Sequence, residues 1–274
     1  MTNCVKAKTK PLLNVCYSLR PINDNETFTV KRAVEIAGKV SKGNSKMPSS
    51  TFAISAKHCK VGSKLVNIKG STCSRCYALK LQKLRPSVDQ GWTNNYLKSV
   101  DLIERNPQQW AKACAFQIVR ICKKLEVKYH RWFDSGDLQS VEMLHAIVLC
   151  ASITPTIKHW LPTREAKIVK DYRKLYGNEP NNLCIRVSST MIDDKPIKGH
   201  NQTSTVHSKI DAHGKECLAF RTNIDKRVLS FKEYKEFKAL SKDQKLERKI
   251  DLGHCGDCRA CWSKEVSNIS YPLH

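Results

Sequence analysis

The stretch YHRWFDSGDLQSVEMLHAIVLCAS, residues 129–152, decides the fold class of this chain. It begins with residues typical of a β-strand, passes through a polar turn, and continues into a run with helical spacing. Two similar units follow: IKHWLPTRE leads into AKIVKDYRKLYG, and LCIRVSSTM leads into a polar loop through His200, His207 and His213. Strands that alternate with helices predict a parallel sheet. We therefore expect an α/β fold with an open sheet or a partial (β/α) barrel.

Further elements are predicted on both sides of this stretch. TFAIS, residues 51–55, predicts an earlier strand that runs into Cys59. YALKLQKLR, NNYLKSVDLIERN and PQQWAKACAFQIVRICKKLE predict three helices, the last capped by Asn106 with Pro107 in its first turn. Downstream, CLAFRT predicts a strand, and SFKEYKEFKALSKDQKLERKI predicts a helical stretch.

These elements predict one core domain with two appended segments. Residues 51–250 form the expected α/β core. Residues 1–50, with weak periodicity and many Gly, Ser, Asn and Lys residues, predict an N-terminal arm. Residues 251–274 predict a cysteine-rich segment that packs on the core.

The apolar runs do not predict membrane association. The longest run, from Met143 to Ile153, is interrupted by His145 and is too short to span a bilayer. The N-terminus MTNCVKAKTK lacks the apolar core of a signal peptide. We expect no membrane partner and a location in the cytoplasm.

The chain has 13 cysteines, an odd number in a sequence expected to stay in a reducing compartment. A disulfide framework is therefore not expected. Seven cysteines stand singly and are predicted to be small buried hydrophobic residues: Cys4, Cys16, Cys114, Cys122, Cys150, Cys184 and Cys217. The other six cysteines are those from which we predict a metal site.

The first metal-site motif is Cys-x-x-Cys at Cys73 and Cys76, within GSTCSRCYALK and at the start of a predicted helix. Backbone N–H groups and the helix dipole favour thiolates at such a position. The spacing suits two bonds to one metal ion or to two corners of a cluster. A redox dithiol is the competing interpretation, but it leaves the C-terminal motif unexplained.

The second motif is Cys-x-x-Cys-x-x-Cys at Cys255, Cys258 and Cys261, within GHCGDCRACW. Bacterial-type ferredoxins use this repeat for cubane clusters. Glu265 stands where their fourth cysteine would be, so a fourth ligand must come from elsewhere or one iron stays open. The expected donors are Cys59, Cys73 and Cys76. We predict one shared [4Fe–4S] cluster, with two clusters as the alternative.

Zinc is the alternative metal. Two distant Cys-x-x-Cys pairs can form a Cys4 zinc site, and the count of cysteines does not decide between the metals. The closely spaced C-terminal triplet favours iron and sulfur.

The net charge of +23 predicts attraction to polyanions, with nucleic acid as a possible partner. The 48 basic residues are spread along the whole chain. A lysine-rich proteome would produce the same positive charge without any nucleic-acid binding. The second functional hypothesis is accordingly that the chain is a basic, zinc-binding regulatory protein that binds nucleic acid. A host or phage protein is the other partner considered.

The motifs FAISAKHC, GSTCSRCYA, RWFDSGD, WLPTRE, RVSS and HCGDCRACW resemble the phage proteins grouped as the gene-product-eighty-eight family. The resemblance covers residues 41–262, and the cysteine motifs are its most specific part. It implies a phage protein in the cytoplasm of an infected bacterium, and it implies no settled function.

The order of elements is also similar to that of the radical S-adenosylmethionine (SAM) superfamily, whose members use a partial (β/α) barrel and a cluster loop after the first strand. This resemblance implies Cys59, Cys73 and Cys76 as that loop, and Gly136 with Asp137 as a binding site for the SAM amine. One departure is plain: the family spacing is Cys-x3-Cys-x2-Cys, whereas 13 residues separate Cys59 from Cys73. The resemblance therefore predicts an iron–sulfur scaffold and leaves open whether the protein is an enzyme.

Overall fold

The computed structural model describes residues 28–208, 212–248 and 250–273. In these ranges seven strands form one sheet, in the order β1-β2-β3-β4-β5-β7-β6, and every neighbouring pair is parallel. The strands are β1 (Ser50–Phe52), β2 (Tyr129–Trp132), β3 (Lys158–Thr163), β4 (Leu183–Ile192), β5 (Thr203–His207), β6 (Lys215–Glu216) and β7 (Asn268–Pro272). The predicted α/β class is confirmed.

Helices occupy most of the connections between strands. They are α1 (Val30–Ala37), α2 (Lys60–Leu65), α3 (Tyr77–Leu84), α4 (Pro86–Arg105), α5 (Pro107–Leu125), α6 (Val141–Ser152), α7 (Ala166–Tyr176), α8 (Phe231–Ala239) and α9 (Lys242–Glu247). The cap predicted for α5 is present: the Asn106 side chain accepts a hydrogen bond from the Gln109 N–H at 3.0 Å, and Pro107 is the first helical residue.

The order of the first five strands follows the chain. Because parallel crossovers are right-handed, a sheet that grows in one direction places its crossover helices on one face. That face, which we call the helix face, carries the hydrophobic core. Its fully buried residues include Trp110 and Ile118 of α5, Leu144 of α6, and Leu161 and Ile185 of the sheet.

The opposite face, which we call the cysteine face, is covered by the C-terminal segment. The Trp262 indole N–H donates to the backbone oxygen of His130 at 2.8 Å, and its ring packs on Tyr129 and Trp160. Below it, Arg186 is fully buried. Its five N–H groups donate to the backbone oxygens of Ala260, Cys261, Ser263, Val266 and Thr203. Within the described residues, Trp262 and Arg186 thus join the C-terminal segment to the sheet.

Two predictions of secondary structure were wrong. His207 was predicted to lie in a polar loop, but it ends β5, where β-branched Thr203, Thr205 and Val206 favour an extended backbone. CLAFRT was predicted to be a strand, but Ala219–Arg221 form a 3₁₀ turn. The actual edge strand, β6, lies immediately before that segment and pairs with β7. Neither β6 nor β7 was predicted from the sequence.

The predicted N-terminal arm contains a helix in its described part. α1 packs on α4 and α5, with Ala33 and Ala37 buried against the core. Residues 1–27, including Cys4 and Cys16, lie outside the described residues. In the described ranges no helix is long and apolar enough to cross a membrane.

Candidate metal centres and the cavity between them

A cavity of about 740 Å³ lies on the cysteine face, at the carboxyl ends of the strands. In parallel α/β sheets this edge is where ligands bind. Residues from the loops after β1, β2, β3 and β6 line the cavity, together with the C-terminal segment. Its cysteines are Cys59, Cys73, Cys76, Cys217, Cys255 and Cys261.

The three upstream cysteines, Cys59, Cys73 and Cys76, form what we call the N-terminal group. Cys59 follows a 3₁₀ turn after β1 and precedes α2, while Cys76 caps α3. The Cys76 N–H donates to the Cys73 backbone oxygen at 3.1 Å, which closes the Cys-x-x-Cys turn.

Gly62 leaves room between two of these thiols. A Cβ atom at this position would lie 3.6 Å from the Cys73 Sγ, 3.8 Å from the Cys59 Sγ and 3.0 Å from the Cys59 Cβ. Both sulfur atoms therefore lie within 4 Å of one point that a side chain would fill. The group is a cradle of thiols whose space depends on glycine.

Burial and neighbouring charge act in opposite directions on this group. Burial raises the pKa of Cys59 to about 12, and Asp137 and the other two thiols add to the shift. Burial also raises the pKa of Cys73. The Arg164 guanidinium lowers both pKa values, and it is held nearby by a 3.0 Å hydrogen bond from its Nε to the Thr72 hydroxyl. A cation beside thiols favours their thiolate form, in which they bind metal.

The predicted cofactor-binding residues Gly136 and Asp137 lie at the cavity edge, in the loop after β2. Gly136 has a φ of +84°, and a Cβ there would lie 2.3 Å from the Ile54 Cγ1. Only glycine fits this approach to the end of β1. Asp137 is buried, and its carboxylate accepts hydrogen bonds from the Thr163 hydroxyl and from the N–H groups of Leu138 and Arg164. Its role toward SAM stays a prediction.

The C-terminal cysteines gain a neighbour that the sequence analysis placed elsewhere. Cys217 was expected to be an isolated buried residue, but it lies beside Cys255, Cys258 and Cys261, and these four form what we call the C-terminal group. The edge strand β6 brings Cys217 there. Its pairing with β7 was not readable from a two-residue strand, so the sequence offered no clear signal for this contact.

The remaining described single cysteines behave as expected. Cys114, Cys122, Cys150 and Cys184 are all buried, and none lines the cavity. Cys114, for example, belongs to the hydrophobic core on the helix face. The prediction that these are small buried hydrophobic residues is confirmed.

No three His, Cys, Asp or Glu side chains within residues 28–208, 212–248 and 250–273 are arranged to hold a single metal ion. The cysteines of each group are neighbours rather than a closed coordination sphere. What the arrangement offers is a purely sulfur donor set, which suits zinc and iron–sulfur clusters.

The cavity wall also carries buried polar atoms without partners. Among the described residues these atoms include the Nε of Arg131, the indole nitrogen of Trp160, one carboxylate oxygen of Asp134 and the hydroxyl of Ser135. Arg131 lies over the Trp160 ring at 4.8 Å. Buried polar atoms normally have partners, so this wall is suited to a polar ligand with both donors and acceptors.

The comparisons with known proteins identify a family. No curated protein and no solved structure matches this chain. The family model described as Gene product 88 matches residues 21–264, which is most of the chain. The match confirms the family that the motifs indicated and supports its interpretation as a phage protein. The chain belongs to the Gene product 88 family.

Proposed function

We propose that this protein is an iron–sulfur protein on a partial-barrel scaffold similar to that of SAM-dependent radical enzymes. In this proposal Cys59, Cys73 and Cys76 hold a [4Fe–4S] cluster with one iron open toward the cavity. The observation that carries the proposal is the meeting of three thiols after the first strand, with two of them, Cys59 and Cys73, around the space left by Gly62.

The donor set supports a cluster at this position. Three thiolates suit soft metals and iron–sulfur clusters, and a cubane bound by three cysteines keeps one iron free of protein ligands. Arg164 offsets part of the negative charge that the thiolates bring into a partly buried site. When bound, such a cluster supplies single electrons and an iron site for a ligand.

The cavity wall supports a polar ligand next to that iron. Arg131 and Trp160 offer buried N–H donors, and Asp134 offers a carboxylate oxygen. SAM carries a carboxylate, an amine and hydroxyl groups that match these atoms in kind. Because the oxygens of Asp137 already accept three hydrogen bonds, Asp134 is the more available carboxylate for an amine.

The proposal has a form without SAM chemistry. In that form the cluster serves electron transfer or holds the fold together, and the cavity binds no SAM. Only the form with SAM chemistry releases 5′-deoxyadenosine when dithionite and SAM are added, so one assay separates the two forms.

The experiment starts from protein purified without oxygen. It should be brown, absorb near about 400 nm, and contain iron and sulfide in equal amounts. Addition of dithionite and SAM should yield 5′-deoxyadenosine from the wild type and not from Cys59→Ala. The matched control is Cys184→Ser, because Cys184 is buried away from the cavity.

A colourless protein with stoichiometric zinc would overturn the iron–sulfur proposal. An intact cluster that yields no 5′-deoxyadenosine would leave only the form without SAM chemistry.

The alternative proposal, a zinc-binding protein that regulates through nucleic acid, is supported by the net charge of +23. Binding to duplex DNA should then weaken steeply as salt rises, because phosphate contacts release counterions. A binding constant that does not change with salt would remove this alternative.

A further inference from the structure

The backbone places Cys217 at the end of the edge strand. It follows β6, and its N–H donates to the Ser270 backbone oxygen at 2.8 Å. Ser270 lies in β7, next to Tyr271, and the Tyr271 hydroxyl lies 3.2 Å from the Cys261 Sγ. One strand therefore positions both Cys217 and Cys261, which are 44 residues apart in the chain.

The other two thiols of the C-terminal group come from one turn. The Cys258 N–H donates to the Cys255 backbone oxygen at 3.0 Å, and the Cys255 N–H donates to the Lys46 backbone oxygen at 2.9 Å. Cys255 faces the cavity with Cys217 and Cys261, while Cys258 is exposed. The group thus has three inner thiols and one outer thiol.

The electrostatics of these residues agree with their proximity. Burial is the main cause that raises the pKa of Cys217 to about 11, and the neighbouring Cys255 and Cys258 contribute to the same rise. Burial raises the pKa of Cys261 to about 12, with Cys217 and Cys255 adding to the shift. Burial also raises the pKa of Tyr271, which Cys261 and Cys217 both face.

A buried cation lies directly behind this group. Arg186 is surrounded by five backbone oxygens, and no ion pair of Arg186 with a carboxylate is present among the described residues. A buried charge is costly without a partner of opposite sign. A cluster bound by four thiolates is an anion, and it would give this guanidinium such a partner while the guanidinium holds the Cys261 backbone in place.

We infer that Cys217, Cys255, Cys258 and Cys261 form a second metal centre, closed by four cysteines and separate from the N-terminal group. The inference rests on the proposed function for the type of centre, a [4Fe–4S] cluster. It replaces the single shared cubane predicted from the sequence with two centres beside one cavity. Cys217 is the fourth ligand that the ferredoxin-like motif lacks at Glu265.

The test compares iron and sulfide content in three anaerobically reconstituted proteins. The wild type should hold about eight of each per chain, and Cys217→Ser should hold about four or slightly more. Cys184→Ser is the matched control and should keep about eight, because Cys184 is buried on the same face outside both groups. Cys217→Ser with the full wild-type content would overturn the inference.

Two further measurements separate this inference from the proposed function. If the wild type takes up no iron, the proposed function fails, and cobalt(II) then reports on the ligands. The sulfur-to-cobalt absorption should fall in Cys217→Ser and stay in Cys184→Ser, and equal absorption in both would overturn the inference.

If Cys217→Ser does not fold, alkylation of the wild-type protein replaces the comparison of variants. With metal bound, Cys217 and Cys258 should both be protected from alkylation, and after chelation both should react. Alkylation of Cys217 that does not depend on metal would refute the assignment.

Discussion

The two faces of the sheet differ in where their unpaired buried polar atoms lie. On the cysteine face several of them line one cavity, whereas on the helix face the unpaired Nε2 of His130 lies outside that cavity, against Trp132 and His159. On the helix face, buried His159 accepts a hydrogen bond from the Trp132 indole at 3.2 Å and pairs with Thr154 at 2.8 Å. On the cysteine face, Arg131, Trp160 and Asp134 each keep a buried polar atom without a partner.

Under the proposed function, the residues that stabilise the fold and those that bind a ligand lie on opposite sides of one sheet. The helix face is closed by apolar packing, which contributes most of the free energy of folding. The cysteine face keeps a cavity, buried thiols and a buried arginine, features that favour ligand binding at the expense of stability. Substitutions on the two faces should therefore separate unfolding free energy from metal content.

The largest effect on stability is expected from Leu161→Ala on the helix face. Leu161 is fully buried in the core, so its truncation leaves a cavity and should lower the free energy of unfolding by about 2–5 kcal/mol. Urea denaturation should show this loss, while iron per folded chain stays at the wild-type value. A variant that lost iron with little loss of stability would break the proposed separation of the two faces.

The next effect is expected from Gly136→Ala, in the loop after β2. The alanine would have to keep a backbone φ of +84°, and its Cβ would lie 2.3 Å from the Ile54 Cγ1. Gly177→Ala is the matched control, because its φ of +80° imposes the same strain with no atom within 4 Å. We expect about 1 kcal/mol of destabilisation for Gly177→Ala and about 1–3 kcal/mol more for Gly136→Ala. Equal destabilisation in both would show that contact with Ile54 does not matter.

A smaller effect is expected from acid on the helix face. Burial lowers the pKa of His159 to about 3, well below the value of about 6.5 in an unfolded chain. Because the unfolded state binds the proton first, stability is full above pH 6.5 and falls as the pH drops from there toward 3. The loss at pH 5.5 should be about 1.4 kcal/mol from this residue.

His159→Gln provides the control for the acid effect. The raised pKa of buried Asp137 acts in the opposite sense at low pH, but it is common to both proteins. The difference in unfolding free energy between wild type and variant should therefore shrink by about 1.4 kcal/mol between pH 7.5 and 5.5. A difference that is independent of pH would show that His159 is not buried in the neutral form.

The smallest effect on stability is expected from Gly62→Ala on the cysteine face. Its Cβ would fill the space between the Cys59 and Cys73 thiols. Iron should fall from about eight to about four per chain, while the unfolding temperature of the metal-free protein changes little. Gly91→Ala is the matched control, because Gly91 is also helical and has no atom within 4 Å of the added Cβ. Iron loss in both variants would contradict the claim that the cluster needs the space that Gly62 leaves between the thiols.

Much of the helix face was predictable from the sequence because its signals are local. Asn106 and Pro107 predicted where α5 begins, and alternating strands and helices predicted the parallel sheet. The Cys73 and Cys76 turn was equally readable, since its spacing lies within four residues.

The cysteine face was less predictable because it depends on distant contacts. Cys217 meets Cys261 only through the pairing of β6 with β7, and two strand residues give no periodicity. Arg186 could equally have been half of an ion pair. Its role became visible only when the carbonyl groups of residues 260–266 were seen around it.

The central claim is that the protein binds two iron–sulfur centres beside one cavity. The most direct test is the iron and acid-labile sulfide content of the wild type, purified and reconstituted without oxygen. The account predicts about eight of each per folded chain. A folded protein that holds no iron, or that holds zinc in its place, would contradict it.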